Sequence, residues 1–246
     1  MSGWRVRPSR PLIMAHRGDR KQALENTLPA FQAAEAVGAE CIELDVRLCA
    51  DDTLVVFHDH NLARVAGRGE EIEAMTLADL RAVRLSRGHT IPTLTEALDC
   101  VGPSMLFDIE IKSDGIGRYN RMADLVVESV RASDAVERCL VSSFDPFILM
   151  RSRRLEPDLR IGYLFMQRSL GLLAPLIRPY AVHPINHLVT PDAMDCWRRR
   201  GYAVHPWTVD GSHELRRLQA LGVDAVCTND PAKALSLFGP LGRHTD

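Results

Sequence analysis

The feature that most constrains the fold of this chain is a regular alternation of short apolar segments with helical patterns. Strand-like segments begin near residues 12, 42, 105, 139, 160, 180, 203 and 225, and helix patterns or helix-start signals follow them. Strands that alternate with helices indicate a parallel sheet with right-handed crossovers. Eight such units in 246 residues match the size and strand count of a closed (β/α)8 barrel. We therefore predict an α/β protein with one TIM-barrel domain over residues 1–246.

An open, doubly wound sheet is the alternative to a barrel. It predicts a glycine-rich GxGxxG turn after the first strand, whereas Leu12–Ala15 is followed by His16, Arg17 and Gly18. Residues 61–89 interrupt the rhythm because they are polar, rich in charge and glycine, and contain only one short helix candidate. We expect them to form a small insertion after the second barrel strand.

Two neighbouring strands place carboxylates on the face opposite their apolar residues. In Cys41–Val46, Glu43 and Asp45 share one face because strand side chains alternate with period two. Met105–Lys112 repeats the pattern and puts Glu110 on the corresponding side. An exposed strand face would explain two carboxylates. Three carboxylates, however, would converge on the mouth of a barrel, where active sites lie. This arrangement favours a binding site for a divalent cation such as Mg²⁺ or Ca²⁺, because these ions bind oxygen ligands.

A salt-bridge network is the structural alternative to a metal site. Arg17 and Lys112 lie at the ends of the first and third barrel strands and could neutralise the carboxylates. Buried ionic networks of that size are costly, so we favour the metal. The same two cations are suited to holding a phosphoryl group.

Histidines and aromatic residues complete the set of side chains at strand ends. His16 and His58 each follow an apolar strand, and imidazole exchanges protons near neutral pH. Phe144 and Trp207 could form a wall for an apolar or glycerol-like group, or could simply plug the barrel mouth. The remaining histidines are expected to be structural or exposed; they are His183, His187, His205 and His213. Asn229 is expected to cap the last helix.

Composition narrows the function classes. A net charge of −2 gives no general attraction to nucleic acid, and no apolar run approaches the roughly 20 residues of a membrane span. The six cysteines form no CxxC pair, so we interpret them as reduced thiols and expect a cytoplasmic protein. The sequence does not indicate an oligomeric state.

Eight short motifs follow one another along nearly the whole chain. In order they are His16-Arg17-Gly18, Glu25-Asn26-Thr27, Glu43-Leu44-Asp45-Val46, His58-Asp59, Glu110-Ile111-Lys112, Ser143-Phe144, Trp207-Thr208-Val209 and Asn229-Asp230-Pro231. With these motifs the chain resembles the glycerophosphodiester phosphodiesterases. Departures from the family pattern occur at Leu24, where proline is common, at Asp19, and at the last motif.

The resemblance implies a (β/α)8 barrel that hydrolyses a small glycerophosphodiester, such as glycerophosphocholine, to glycerol 3-phosphate and an alcohol. It implies a divalent metal, Mg²⁺ or Ca²⁺, held by Glu43, Asp45 and Glu110. It also implies that His16 and His58 act as acid and base, while Arg17 and Lys112 bind the phosphate.

The alternatives are a lysophospholipase D-like activity on lipid substrates, a metal-free phospholipase C-like cleavage, and a non-catalytic phosphodiester-binding barrel. The metal-free cleavage leaves the three carboxylates unexplained, and a binding barrel would be expected to lack at least one acid/base or metal residue.

Overall fold

The computed structural model describes Trp4, residues 10–112 and residues 119–239 of the chain. Its strands are β1 Leu12–His16, β2 Cys41–Leu48, β3 Leu54–Val56, β4 Leu106–Ile111, β5 Cys139–Ser143, β6 Arg160–Phe165, β7 Ala181–Pro184, β8 Ala203–Val204 and β9 Ala225–Thr228. Its α-helices are α1 Leu28–Val37, α2 Ala63–Ala66, α3 Leu77–Ala82, α4 Leu94–Asp99, α5 Tyr119–Ala132, α6 Pro146–Leu155, α7 Arg168–Gly171, α8 Ala174–Ile177, α9 Pro191–Arg199, α10 Ser212–Leu221 and α11 Pro231–Phe238. Short 3₁₀ helices cover Ile72–Ala74, Ser86–Gly88, Val136–Arg138 and Asn186–Leu188.

The strands form a nearly closed barrel. Eight of them are parallel and lie side by side in the order β8-β7-β6-β5-β4-β2-β1-β9, and β3 pairs antiparallel with β2 outside this ring. Backbone hydrogen bonds bridge the remaining seam, from Asp224 N–H to Val204 O at 3.0 Å and from Cys227 N–H to Pro206 O at 3.0 Å. The predicted (β/α)8 fold is confirmed.

Two predicted elements differ from the observed ones for the same reason. The predicted seventh barrel strand, 203–209, has regular ladder pairing only at Ala203–Val204, and the predicted helix 170–177 is divided into α7 and α8. Pro206 and Pro175 carry no N–H, so neither can donate the backbone bond that would continue its element. Arg118, predicted as the start of α5, lies outside the described residues.

Local signals in the sequence set several helix starts. Thr93 and Glu96 form a reciprocal capping box at α4, and Thr76 and Asp79 form another at α3. The Asp145 side chain accepts the Phe147 N–H at the start of α6. Of these helices, α4 and α6 pack against the outside of the barrel, whereas α3 lies within residues 61–89.

Burial separates the two faces of each barrel strand. On β2 and β4 the outward side chains pack fully buried against the helices, with Ile42, Leu44, Phe107 and Ile109 all 0% exposed. The inward face of the same strands carries the carboxylates. Residues 61–89 add no strand to the described part of the sheet, and Leu62, Ile72 and Leu80 join a separate apolar cluster.

The structure also bears on two sequence-based expectations. All six cysteines are free thiols, as predicted. Among the helices of the described ranges, none has the length and apolar character needed to cross a membrane.

Candidate active site

Three carboxylates meet at the mouth of the barrel. Glu43, Asp45 and Glu110 each offer an oxygen within 4.8 Å of the others, because β2 and β4 pair in register with Asp45 opposite Glu110. Burial raises the pKa of Glu43 well above its usual value, and the neighbouring charges of Asp45 and Glu110 raise it further. Burial also raises the pKa of Glu110. Burial and mutual repulsion therefore disfavour the anionic forms of Glu43 and Glu110 unless a positive charge lies beside them.

Lysine and arginine neutralise part of this charge. Lys112 Nζ lies 2.8 Å from Asp45 Oδ1 and 2.6 Å from Glu110 Oε1, and Arg17 Nε lies 3.1 Å from Asp45 Oδ2. Burial alone would raise the pKa of Asp45, but Lys112 and Arg17 outweigh burial and hold that pKa well below its usual range. The salt-bridge network considered from the sequence is therefore present around Asp45.

Glu43 stands apart from that network. In the described ranges no lysine or arginine side chain forms an ion pair with Glu43; His16 Nε2 lies 4.0 Å from its Oε2, and the charge of Arg17 acts on it from a greater distance. A buried carboxylate without a full counter-charge is unfavourable as an anion. Together with the two neighbouring carboxylates it makes an all-oxygen donor set, which fits a hard divalent cation such as Mg²⁺ or Ca²⁺.

The turn after β1 holds Arg17 in place. Arg17 has a left-handed φ of 61°, and its backbone N–H donates to Glu43 Oε2 at 3.0 Å. The following residue, Gly18, also has a positive φ, and a Cβ there would lie 2.7 Å from Ala30. The turn therefore needs a glycine, and a strained conformation maintained in this way is typical of functional sites.

Two residues of the Glu25-Asn26-Thr27 motif support the site, although the sequence reasoning gave them no individual role. Asn26 has a φ of 55°, and its Nδ2 donates to Asp45 Oδ2 at 2.7 Å. Glu25 is buried and pairs with Arg17 at 2.9 Å and with Arg20 and Arg64 at 2.6 Å each. The motif thus orients one of the carboxylates and one of the cations.

His16 is held by one ring nitrogen. Its Nδ1 lies 2.7 Å from Asn229 Oδ1, and the Asn229 amide nitrogen donates to Asp210 at 2.7 Å. The amide oxygen can only accept, so His16 Nδ1 carries the proton and Nε2 is the basic nitrogen. Burial first, and then the charge of Arg17, lowers the pKa of His16 to about 4.

His58 is held in the same way. Its Nδ1 lies 2.6 Å from Asp59 Oδ1, and Asp59 in turn accepts from Arg64 Nε at 2.6 Å. The Nδ1–H therefore donates to a carboxylate, which leaves Nε2 free. Burial lowers the pKa of His58, whereas the carboxylate of Asp45 works in the opposite direction.

The predicted site residues share one cavity of about 270 Å³. Eight of the nine line it, and the ninth, Asp45, is 0% exposed next to it. Phe144 and Trp207 form a wall, with ring centroids 5.6 Å apart and planes at 88°. The indole N–H of Trp207 donates to His183 O at 2.8 Å, which fixes the ring.

Sequence reasoning missed several residues of this region. Asn229 does not cap the last helix, because Asp230 is the cap residue and Asn229 contacts His16. His183 and His205 line the cavity together with Asp108. Asp108 shares the inward face of β4 with Glu110, and this period of two was a signal that could have identified it.

A parallel barrel whose mouth combines carboxylates, two histidines and two cations defines a class of enzyme, the (β/α)8 hydrolases of phosphate esters. Comparison with known proteins gives the family. The model of the glycerophosphoryl diester phosphodiesterase family matches residues 16–233, and the chain belongs to this family. It is a phosphoric diester hydrolase of the glycerophosphodiester phosphodiesterase type.

Individual relatives agree over nearly the whole chain. A glycerophosphodiester phosphodiesterase of Caldanaerobacter subterraneus subsp. tengcongensis is 33% identical, over 92% of this chain and 97% of that protein. A candidate glycerophosphoryl diester phosphodiesterase of Silicibacter pomeroyi superposes with a TM-score of 0.88 at 28% identity, covering 96% of this chain and 95% of that chain. A phosphodiesterase of Oleispira antarctica was solved in complex with the product sn-glycerol-3-phosphate. It superposes with a TM-score of 0.85 at 27% identity, covering 93% of this chain and 96% of that chain.

Proposed function

We propose that this cavity hydrolyses water-soluble glycerophosphodiesters to glycerol 3-phosphate and an alcohol, with His16 and His58 as the acid–base pair. The observation that supports this most directly is the matched arrangement of the two rings. Each has Nδ1 bonded to an acceptor and Nε2 free, and both line the cavity that contains the carboxylates. Cleavage of a phosphodiester needs one proton removed from the nucleophile and one delivered to the departing oxygen.

Glu43, Asp45 and Glu110 would hold a divalent cation, Mg²⁺ or Ca²⁺. When bound, such an ion supplies charge neutralisation and Lewis acidity at a phosphoryl oxygen. Asn26 keeps Asp45 oriented for this role by its hydrogen bond. The close approach of three buried carboxylates supports the assignment.

Arg17 and Lys112 would bind the phosphate. Lys112 donates one hydrogen bond to Glu110 and forms an ion pair with Asp45. Arg17 donates from one terminal nitrogen to Glu25, and its Nε forms an ion pair with Asp45 without hydrogen-bond geometry. The remaining donors belong to side chains that line the cavity. They would stabilise the negative charge that builds on the phosphoryl oxygens.

The surroundings of the two rings suggest which histidine acts as the base and which as the acid. His16 is the more deeply buried ring and stays unprotonated, so it would accept the proton of the nucleophile. His58 lies beside Asp59 and faces the charge of Asp45, both of which favour its protonated form. It would donate the proton to the departing alcohol.

The test is the release of glycerol 3-phosphate from a series of glycerophosphodiesters with choline, ethanolamine, glycerol or inositol as the alcohol. Each reaction is run with EDTA, Mg²⁺ or Ca²⁺, and a lysophospholipid serves as the lipid comparison. We expect release that depends on the metal and is greater for the water-soluble diesters. Unchanged release in EDTA would contradict the metal role, and faster turnover of the lysophospholipid would favour the lipid alternative.

A further inference from the structure

A group of polar side chains lies behind His16, on the Nδ1 side of its ring. The first is Asn229, the residue after β9, whose Oδ1 lies 2.7 Å from His16 Nδ1. Two more residues contact the Asn229 amide, Asp210 from the segment between β8 and α10 and Arg20 from the segment between β1 and α1. Among the described residues that line the cavity, none of these three appears. Any effect of Asp210 on the reaction therefore passes through the amide.

The Asn229 amide is held at both ends. Its Nδ2 donates to Asp210 Oδ2 at 2.7 Å, and its Oδ1 accepts from Arg20 Nη1 at 2.7 Å. An ionised carboxylate can only accept a hydrogen bond, and a guanidinium can only donate one. A flipped amide would set its oxygen against the Asp210 carboxylate and its N–H groups against the Arg20 guanidinium, and both hydrogen bonds would be lost. Only one orientation of the amide is therefore compatible with its neighbours.

Asp210 is itself positioned by several contacts. Its Oδ1 accepts from the Asn229 backbone N–H at 2.8 Å and from Thr228 Oγ1 at 3.1 Å. Its backbone oxygen accepts from Lys233 Nζ at 2.7 Å. Together with the bond from Asn229 Nδ2, the carboxylate receives three hydrogen bonds from two consecutive residues at the end of β9, and bonds to a charged acceptor are the stronger class. The carboxylate is therefore held in place although Asp210 is exposed.

The fixed amide determines the tautomer of His16. Two acceptors compete for the single ring proton of the neutral imidazole, Asn229 Oδ1 at 2.7 Å from Nδ1 and Glu43 Oε2 at 4.0 Å from Nε2. The first distance is that of a hydrogen bond, and the second is too long for one. The proton therefore lies on Nδ1, and Nε2 keeps its lone pair. If the amide turned over, one of its N–H groups would bond to Nδ1, and the ring proton would move to Nε2.

We propose that Asp210 and Arg20 are positioning residues that lock the Asn229 amide and thereby keep Nε2 of His16 free to accept a proton. This inference rests on the proposed function, because it serves the base assigned to His16. Neither residue lines the cavity, and proton transfer stays with the two histidines. The contribution of Asp210 should appear in kcat rather than in KM, because a ring that carries its proton on Nε2 cannot accept another one there.

The tautomer can be measured without turnover. In ¹⁵N-labelled protein at neutral pH with Mg²⁺ present, NMR correlations between the ring nitrogens and the ring protons show which nitrogen is protonated, and His16→Gln identifies the His16 signals by their loss. We expect Nδ1–H in the wild type and in the control Asn120→Leu, which changes an exposed residue of α5. In Asn229→Leu we expect Nε2–H to predominate. Nε2–H in the wild type, or Nδ1–H alone in Asn229→Leu, would overturn the inference.

Asp210→Asn tests the lock itself by steady-state kinetics with glycerophosphocholine, and its exposed position keeps the test available if Asn229→Leu does not fold. A catalytic histidine in the wrong tautomer loses up to about 10⁴-fold in kcat. Because Arg20 still opposes the flip in this variant, we expect a smaller loss in kcat, of about 10–100-fold, with KM changed by less than about 3-fold. Asp158→Asn, at another exposed carboxylate, is the matched control and should behave as the wild type.

The double variant Asp210→Asn/Asn229→Asp exchanges the two side chains. The carboxylate at position 229 would accept from His16 and Arg20, and the amide at position 210 would donate to it, so donors and acceptors match again. Contacting residues are coupled, and we expect kcat of the double variant to exceed that of Asp210→Asn by about 10-fold. A double variant as slow as Asp210→Asn, or slower, would overturn the inference, because a purely structural role predicts no such rescue.

Hydrolysis by the wild-type protein separates failure of this inference from failure of the proposed function. If the wild type hydrolyses glycerophosphodiesters while Asp210→Asn keeps its full kcat, the inference is wrong and the proposed function stands. Absence of hydrolysis for every glycerophosphodiester would instead remove the proposed function, and the role of His16 as a base would fall with it.

Discussion

The two halves of the barrel mouth differ in charge. The half built from β1, β2, β3 and β4 contributes both catalytic candidates, His16 and His58, together with the three carboxylates and the two cations. The half built from β5 to β8 contributes Phe144, Trp207 and the neutral rings of His183 and His205. We expect the first half to carry out proton transfer and the second to contact the uncharged parts of a substrate.

The difference has a structural cause. Ion pairs of Arg17 and Lys112 with Asp45 offset part of the negative charge in this half, and they depend on the register between β1, β2 and β4. Across the cavity, the aromatic and uncharged side chains of the other half offer no competing charge. The electrostatic field of the charged half is therefore directed at a bound ligand. We therefore expect substitutions in the first half to change kcat, and those in the second to change KM and selectivity.

The largest effects are expected for the two histidines of the charged half. His16→Ala and His58→Ala should each lower kcat by about 10²–10⁴-fold, because each removes one partner in proton transfer. Steady-state kinetics with thermal unfolding as a folding check measures this. His187→Ala, at an exposed position, is the control. Near-normal turnover in either variant would refute the assignment.

A smaller effect is expected for Asn26, which orients one of the proposed metal ligands. Asn26→Ala removes the hydrogen bond to Asp45 Oδ2 and should weaken the affinity for Mg²⁺ or Ca²⁺ by about 10–100-fold. Metal titration of activity and of tryptophan fluorescence would show it, with saturating metal restoring part of the rate. Asn120→Ala, an exposed change on α5, should leave the titration unchanged. An unaltered metal affinity in Asn26→Ala would count against a metal at Asp45.

The neutral half should respond differently. Trp207→Ala removes the aromatic wall beside Phe144 and should raise KM about 10-fold with kcat changed by less than about 3-fold, as for loss of an apolar contact. Phe147→Ala, 71% exposed, serves as the aromatic control. If Trp207→Ala lowered kcat alone, Trp207 would behave like a residue of the charged half, and the expected difference between the two halves would be wrong.

The smallest effect is expected in the dependence of stability on pH. The pKa of His205 is about 3 in the folded protein and near 6.5 when unfolded, so between these values only the unfolded chain binds the proton. Acidification from pH 6.5 should therefore reduce the free energy of unfolding, by about 1.4 kcal/mol per pH unit at most from this ring. His205→Gln should show a shallower slope than His213→Gln in urea unfolding at pH 5.0–6.5. Equal slopes would show that His205 is not buried neutral.

Much of the charged half was predictable from local patterns. The period of two in Cys41–Val46 placed Glu43 and Asp45 on one face, and the same period placed Glu110 on its strand. The strand count indicated a barrel. In a barrel the ends of the strands converge on one mouth, so these carboxylates were expected to lie close together. The neutral half was less visible, because His183 and His205 lie in ordinary apolar segments.

By itself the sequence determined the succession of strands and helices and the face of each strand on which a side chain lies, because these depend on residues close together in the chain. Only the tertiary structure decided the pairing of His16 with Asn229, 213 positions away, and the shortening of β8. It also decided that Asp108, His183 and His205 lie buried inside the barrel beside the carboxylates. Such contacts depend on how the barrel closes and on the register of each strand, which no local pattern contains.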